Sequence, residues 1–105
     1  MLDYNIEYRK NILFIRLIGN LNKNTFNILE SELNIIIKKL GFYNIVFNLE
    51  GVTNIDTIAS NKLIDWSNII NIGEGVSYFC GTNKLNNVNI INNELSAIKE
   101  INWKS

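Results

Sequence analysis

The hydrophobic period changes several times along this chain, and the order of those changes limits the fold more than any single residue does. Tyr4, Ile6 and Tyr8 alternate with Asn5 and Glu7, the two-residue period of a half-exposed strand. After Arg9-Lys10-Asn11, an apolar run over residues 12–18 is rich in β-branched side chains, so the two segments read as an antiparallel hairpin. Arg16 interrupts the second strand and marks one of its faces as partly solvated. The period then lengthens. Phe26, Leu29, Leu33, Ile36, Ile37 and Leu40 step by three and four, forming one stripe of a helix. Asn24 or Thr25 is placed to cap its first turn, and Gly41 stands where a C-terminal glycine belongs.

Residues 44–49 (NIVFNL) are mostly apolar without alternation, as expected of a strand buried on both faces, and Gly51 breaks that pattern. Ile55, Ala59, Leu63, Trp66 and Ile70 line a second helix, with Asp56 or Thr57 as its cap. Ile72-Gly73-Glu74-Gly75 is a loop and residues 76–80 a fourth strand. Residues 82–87 are polar, 88–91 could add a last short strand, and Leu95, Ile98 and Ile101 recur at helical steps. The expected architecture is α/β: a small mixed sheet of four to five strands with helices packed on it. Val46, Phe47, Leu33, Ile36, Leu63 and Trp66 are expected to share one core.

Composition excludes several functions. With no histidine, Ser-His-Asp and Cys-His catalysis and the usual zinc sites are ruled out. Ten acidic and ten basic side chains cancel, so no global charge draws the chain to nucleic acid or an anionic membrane. Cys80 has no second cysteine to pair with, and in a strand it reads as a small buried hydrophobe. No stretch approaches the roughly 18–20 apolar residues of a membrane span, and the N-terminus has no signal-peptide run. A cytoplasmic, single-domain protein over residues 1–105 is expected. The abundance of Asn and Ile suggests an AT-rich bacterial genome. Gly73-Glu74-Gly75 lacks the lysine and spacing of a phosphate loop. Asp65 and Glu74 form no acid/base pair, and Trp103 either covers a core edge or marks a contact surface. No metal, cofactor or catalytic residue is expected.

Two ordered motifs carry a resemblance. Leu17-Ile18-Gly19-Asn20-Leu21-Asn22 ends a strand, and after the first helix Asn48-Leu49-Glu50-Gly51-Val52-Thr53-Asn54-Ile55-Asp56-Thr57-Ile58-Ala59-Ser60 runs from the next strand into the second helix. Together they resemble the STAS domain family, whose signature is L-x-G-x-L-D, then D/N-L-S/E-x-V, then D-S-x-G-L. The resemblance covers residues 12–63, about half the chain. Thr57 stands where that signature has Ser, Ala59 where it has Gly, and Ser60 where it has Leu. Asn20 and Asn22 stand where carboxylates are common.

In the anti-sigma-factor antagonists of this family, the hydroxyl residue after the signature aspartate is phosphorylated by the partner. The resemblance therefore implies phosphorylation of Thr57, with Asn20, Asn22, Asn54, Asp56, Ile58, Ala59 and Ser60 forming the partner surface. The implied partner is an anti-sigma factor of the GHKL serine-kinase type, and the implied role is regulation of transcription without enzymatic activity. The alternative is a constitutive STAS subunit docking on a transporter ATPase. A phosphate of about −1.5 to −2 charge at a helix N-terminus suits the exposed N–H groups there, yet disrupts a fitted protein interface.

Overall fold

The computed structural model describes residues 2–82 and 85–104, the last two of these by backbone alone. β1 (Leu2–Arg9) and β2 (Ile12–Leu21) pair antiparallel, with Arg9 opposite Ile12. Lys10 and Asn11 connect them with φ of 57° and 66°. Two successive left-handed residues make the tight turn whose twist matches that of the flanking strands. β3 (Asn44–Ile55) runs parallel to β2, and β4 (Val76–Cys80) parallel to β3, giving the order β1-β2-β3-β4. Parallel neighbours require crossovers. α1 (Lys23–Leu33) and α2 (Thr57–Ile72) supply them on one face, and α3 (Glu94–Lys104) packs on the other.

Because successive strand residues point to opposite faces, the sheet feeds two cores. Leu13, Ile15, Leu17, Phe47 and Phe79 meet Phe26, Leu29, Leu33, Ile36, Leu63 and Trp66 under α1 and α2. Ile12, Phe14, Val46 and Tyr78 meet Ala97 and Ile101 under α3. The expected single core is thus corrected: Val46 neighbours Phe47 in sequence and therefore faces the other layer. Trp66 is buried at the helical face, and its indole N–H donates to Glu30 Oε2 at 3.0 Å. Cys80 is buried, and desolvation, with Glu94 and Glu50 nearby, pushes its thiol up to about 11, away from nucleophilic use.

Four local expectations change. The first helix is capped by Asn22, not Asn24 or Thr25; Asn22 Oδ1 accepts from the backbone N–H groups of Asn24 and Thr25 at 2.9 and 3.0 Å. Its end widens into a π-helical turn over Asn34–Lys39, where Leu40 N–H reaches Ile35 O at 3.0 Å. A wider turn takes up an extra residue, so the stripe slips and Leu40 is 64% exposed. Gly41, at φ 68°, does close this helical segment. Next, β3 does not stop at Gly51 but runs through it, with the register to β2 shifting between Arg16 and Ile18 and again between Gly19 and Asn20. A Cβ at Gly51 would stand 3.0 Å from Leu17 O, so glycine permits the close approach at this bulge. Lastly, residues 88–91 form only one bridge, between Phe79 and Ile90, and no fifth strand. The Trp103 side chain lies outside the described residues.

Arg16 does not simply mark a solvated face. Its guanidinium is held by Glu94 through Nε–Oε2 and Nη2–Oε1 contacts of 2.8 and 2.7 Å, and by Glu7 at 2.8 Å. Asn48 Nδ2 donates to Glu94 Oε2 at 2.9 Å. This cluster fixes the first turn of α3 to β2 and β3. The hydrogen bonds from Arg16 hold the Glu94 carboxyl below the usual carboxylate range, with Asn48 acting in the same direction against its partial burial.

Leu33 is fully buried, and Leu33→Ala is expected to destabilise the fold by about 2–5 kcal/mol in urea unfolding. For Glu94 the folded pKa is depressed, so its stabilisation is complete above the unfolded value of about 4.3 and is lost as pH falls towards the folded value. The stability gap between wild type and Glu94→Gln should therefore narrow progressively as the pH falls below about 4.3. A gap that stays constant would show that the cluster contributes no such linkage.

Candidate functional site

Parallel pairing brings the C-terminal ends of β2 and β3 side by side, with Asn20 opposite Asn54 and Leu21 opposite Ile55. Asp56 N–H donates to Leu21 O at 3.0 Å and ties the two strand ends together. α1 and α2 both start here, so two sets of unsatisfied helix N–H groups converge on one rim of the sheet. Asp56 serves both. Its Oδ1 accepts from Ala59 N–H of α2 at 2.7 Å, and its Oδ2 accepts from Lys23 N–H, the first residue of α1, at 3.2 Å. Asn22 completes the rim: Thr25 Oγ1 accepts from Asn22 N–H at 2.9 Å, closing a capping box.

Thr57 is the first residue of α2 and is exposed. Among the described residues its hydroxyl has no hydrogen-bond partner. Ile58, beside it, is 48% exposed, an apolar side chain presented to solvent next to a polar one. Asn20 and Asn54 are exposed on the adjoining strand ends, and Ser60 and Asn22 are half-buried. The residues singled out in the sequence do converge on one rim, with one correction. Ala59 is fully buried, so its side chain belongs to the core under α2 and cannot form partner surface.

The sequence did not reveal the double use of Asp56, because Lys23 is far from it along the chain. Nor did it reveal the cavity of about 300 Å³ beside the rim, lined by Leu49, Val52, Thr53, Asn54, Ile55, Gly81 and Thr82. That space exists because β3 continues past Gly51, and the glycine that ended the sequence pattern was the signal for a bulge. Chemically the rim can offer a hydroxyl in the positive field of a helix end, with a carboxylate already accepting two N–H bonds. Among the described residues no group of His, Cys, Asp and Glu side chains could hold a metal ion, and no helix is long and apolar enough to cross a membrane.

Comparison with known proteins yields a consistent fold. The family model of the STAS domain matches residues 3–84. The solved structure of the anti-sigma factor antagonist SpoIIAA in its unphosphorylated form superposes with a TM-score of 0.79 at 14% identity, over 95% of this chain and 98% of that one. The Bacillus cell fate determinant SpoIIAA in its phosphorylated form gives 0.75 at 14% identity, over 94% and 99%. A Thermotoga maritima protein assigned as an anti-sigma factor antagonist gives 0.84 at 14% identity, over 94% of each chain. At that identity the likeness is one of fold. No curated protein sequence matches the chain.

Removing the shared carboxylate should loosen both helix starts. Asp56→Ala is expected to cost about 1–2 kcal/mol in urea unfolding, and Asp56→Asn, which keeps one acceptor oxygen, clearly less. Equal losses for the two variants would mean that capping is not what Asp56 contributes.

Proposed function

The chain belongs to the STAS domain family, and on that premise we propose that it is an anti-sigma-factor antagonist of the bacterial cytoplasm. In this reading it is a non-enzymatic regulator of transcription that binds an anti-sigma factor of the GHKL serine-kinase type and is controlled by phosphorylation of Thr57. The single observation that carries it is the exposed Thr57 hydroxyl, unbonded among the described residues, at the first position of a helix whose cap is already supplied by Asp56. A hydroxyl serving as the cap would be tied to backbone N–H groups; this one is available to a kinase. Around it Asn20, Asn54 and Ile58 supply an exposed surface of mixed polarity, flanked by Asn22 and Ser60. The likeness to SpoIIAA, solved in unphosphorylated and phosphorylated forms, supports the same reading.

The switch follows from two environments for one charge. Within the free domain, a phosphate on Thr57 meets the positive end of α2, which offsets its repulsion from Asp56. In a complex, the same charge has to shed water against the partner, and a poorly paired buried charge costs several kcal/mol. Phosphorylation then ends binding without unfolding the domain. No observation favours the alternative of a constitutive subunit on a transporter ATPase.

Incubation with a GHKL-type anti-sigma kinase of the same organism and ATP should add one phosphate by intact mass, and Thr57→Ala should abolish it. Thr57→Glu should weaken kinase binding at least about a hundredfold in a titration, while leaving the thermal midpoint nearly unchanged. Binding that survives Thr57→Glu, together with no phosphate uptake from a kinase that does bind, would overturn the phosphoswitch.

A further inference from the structure

The two edges of the sheet are treated differently. At β4 the ladder continues into the following segment, where Phe79 N–H donates to Asn89 O at 2.8 Å and Ile91 N–H to Phe79 O at 2.9 Å. At the other edge, no described residue pairs with the outer side of β1. β1 is eight residues long, regular in its register with β2, and contains neither proline nor bulge. Such an edge is a template for another strand unless something blocks it. The two-residue turn makes Arg9 and Ile12 a hydrogen-bonded pair, so the odd-numbered residues of β1 direct their backbone groups to β2. The backbone groups of Tyr4, Ile6 and Tyr8 therefore point outward.

We propose that β1 pairs antiparallel with β1 of a second copy of this chain, about a two-fold axis through Ile6. Side-chain chemistry selects that register. It sets Asp3 opposite Arg9 twice, Tyr4 opposite Tyr8 twice and Ile6 opposite itself. All of these are favourable cross-strand pairs. Sliding by one pleat in one direction sets Asp3 opposite Glu7, and in the other direction sets Glu7 opposite Glu7, and like charges directly opposed are unfavourable. Asp3 and Arg9 are exposed, and among the described residues neither has an ion pair; Arg9 lies over the Phe14 ring at 5.5 Å from its centroid. The dimer gives each an ion-pair partner.

The helical layer extends the same contact. α1 straddles β1 and β2, and its Glu32 lies at Tyr4, where burial and that carboxylate push the phenol pKa up. Ile35, one turn beyond Glu32 in the π-helical turn that continues α1, is 43% exposed. With strands about 4.8 Å apart, pairing the two β1 edges brings the two copies of α1 to about 10 Å, an ordinary helix packing distance. The two helices run antiparallel about the axis; Ile6 lies two residues beyond Tyr4 along β1, at the level of Ile35 one turn beyond Glu32, so Ile35 faces its symmetry mate. Thr57 and its rim stay open, because they lie at the strand ends and not along this edge.

Sedimentation of the whole chain from micromolar to millimolar concentration should reveal a monomer–dimer equilibrium. Asp3→Arg and Arg9→Asp should each weaken it about tenfold or more, and combining them should restore it. Ile35→Lys, at an exposed position, should also weaken it with an unchanged circular dichroism spectrum. Oxidising a mixture of the Asp3→Cys and Arg9→Cys variants should yield covalent dimers that neither variant yields alone, since facing residues in this register come within disulfide reach. A monomer at every concentration would overturn the proposal. So would a dimer indifferent to Asp3, Arg9 and Ile35, or cross-linking that is equal in the separate variants.

Discussion

β3 is buried on both faces, and this constraint governs the arrangement of the rest. Ile45, Phe47 and Leu49 need cover on one side and Val46 on the other. A strand with apolar side chains in both directions requires two helical layers. The two parallel crossovers place α1 and α2 on one face, which leaves the opposite face without cover until α3 arrives. α3 brings Ala97 and Ile101, and the Arg16–Glu94–Asn48 cluster aligns its first turn. A paired, hydrogen-bonded charge cluster of this kind adds less to net stability than to orientation, since its desolvation cost offsets much of the attraction.

The candidate rim is a consequence of the same topology. Parallel strands direct their C-terminal ends to one side, and helices that follow them begin on that side. Two helix N-termini so close would present a concentration of unsatisfied N–H groups and like dipole ends. Asp56 resolves this with a single carboxylate shared between α1 and α2, aided by Asn22. Because the cap is provided by the residue before it, Thr57 retains a hydroxyl directed to solvent at the most positive point of the helix. The structural role falls to Asp56, and the proposed regulatory role to its neighbour Thr57.

The remaining surfaces differ in how far the fold has used their backbone groups. The β4 edge is occupied by residues 89–91, whereas β1 retains an outward ladder whose charges are complementary to themselves under two-fold symmetry. The rim and the β1 edge lie in different directions from the sheet, so the proposed kinase contact at one and the proposed self-association at the other are compatible.

Periodicity alone determined the element types and nearly all of their order: the hairpin, the stripe from Phe26 through Leu33, the buried strand around Val46 and Phe47, the Trp66 face of α2, and the last helix. The family resemblance, not periodicity, singled out Asn20, Asn22, Asp56 and Thr57; of the two helix caps, Asp56 was legible as a local residue choice and Asn22 was not. Only the tertiary structure decided which face each side chain joins, which separated Val46 from Phe47. It also decided that β3 passes through Gly51, since a bulge depends on a neighbouring strand that the local sequence does not contain. The π turn that turns Leu40 outward and the bond from Asp56 to Lys23 are likewise invisible to local pattern. Each depends on what stands next to a residue in space, and parallel pairing brings together segments that are more than thirty residues apart in the chain.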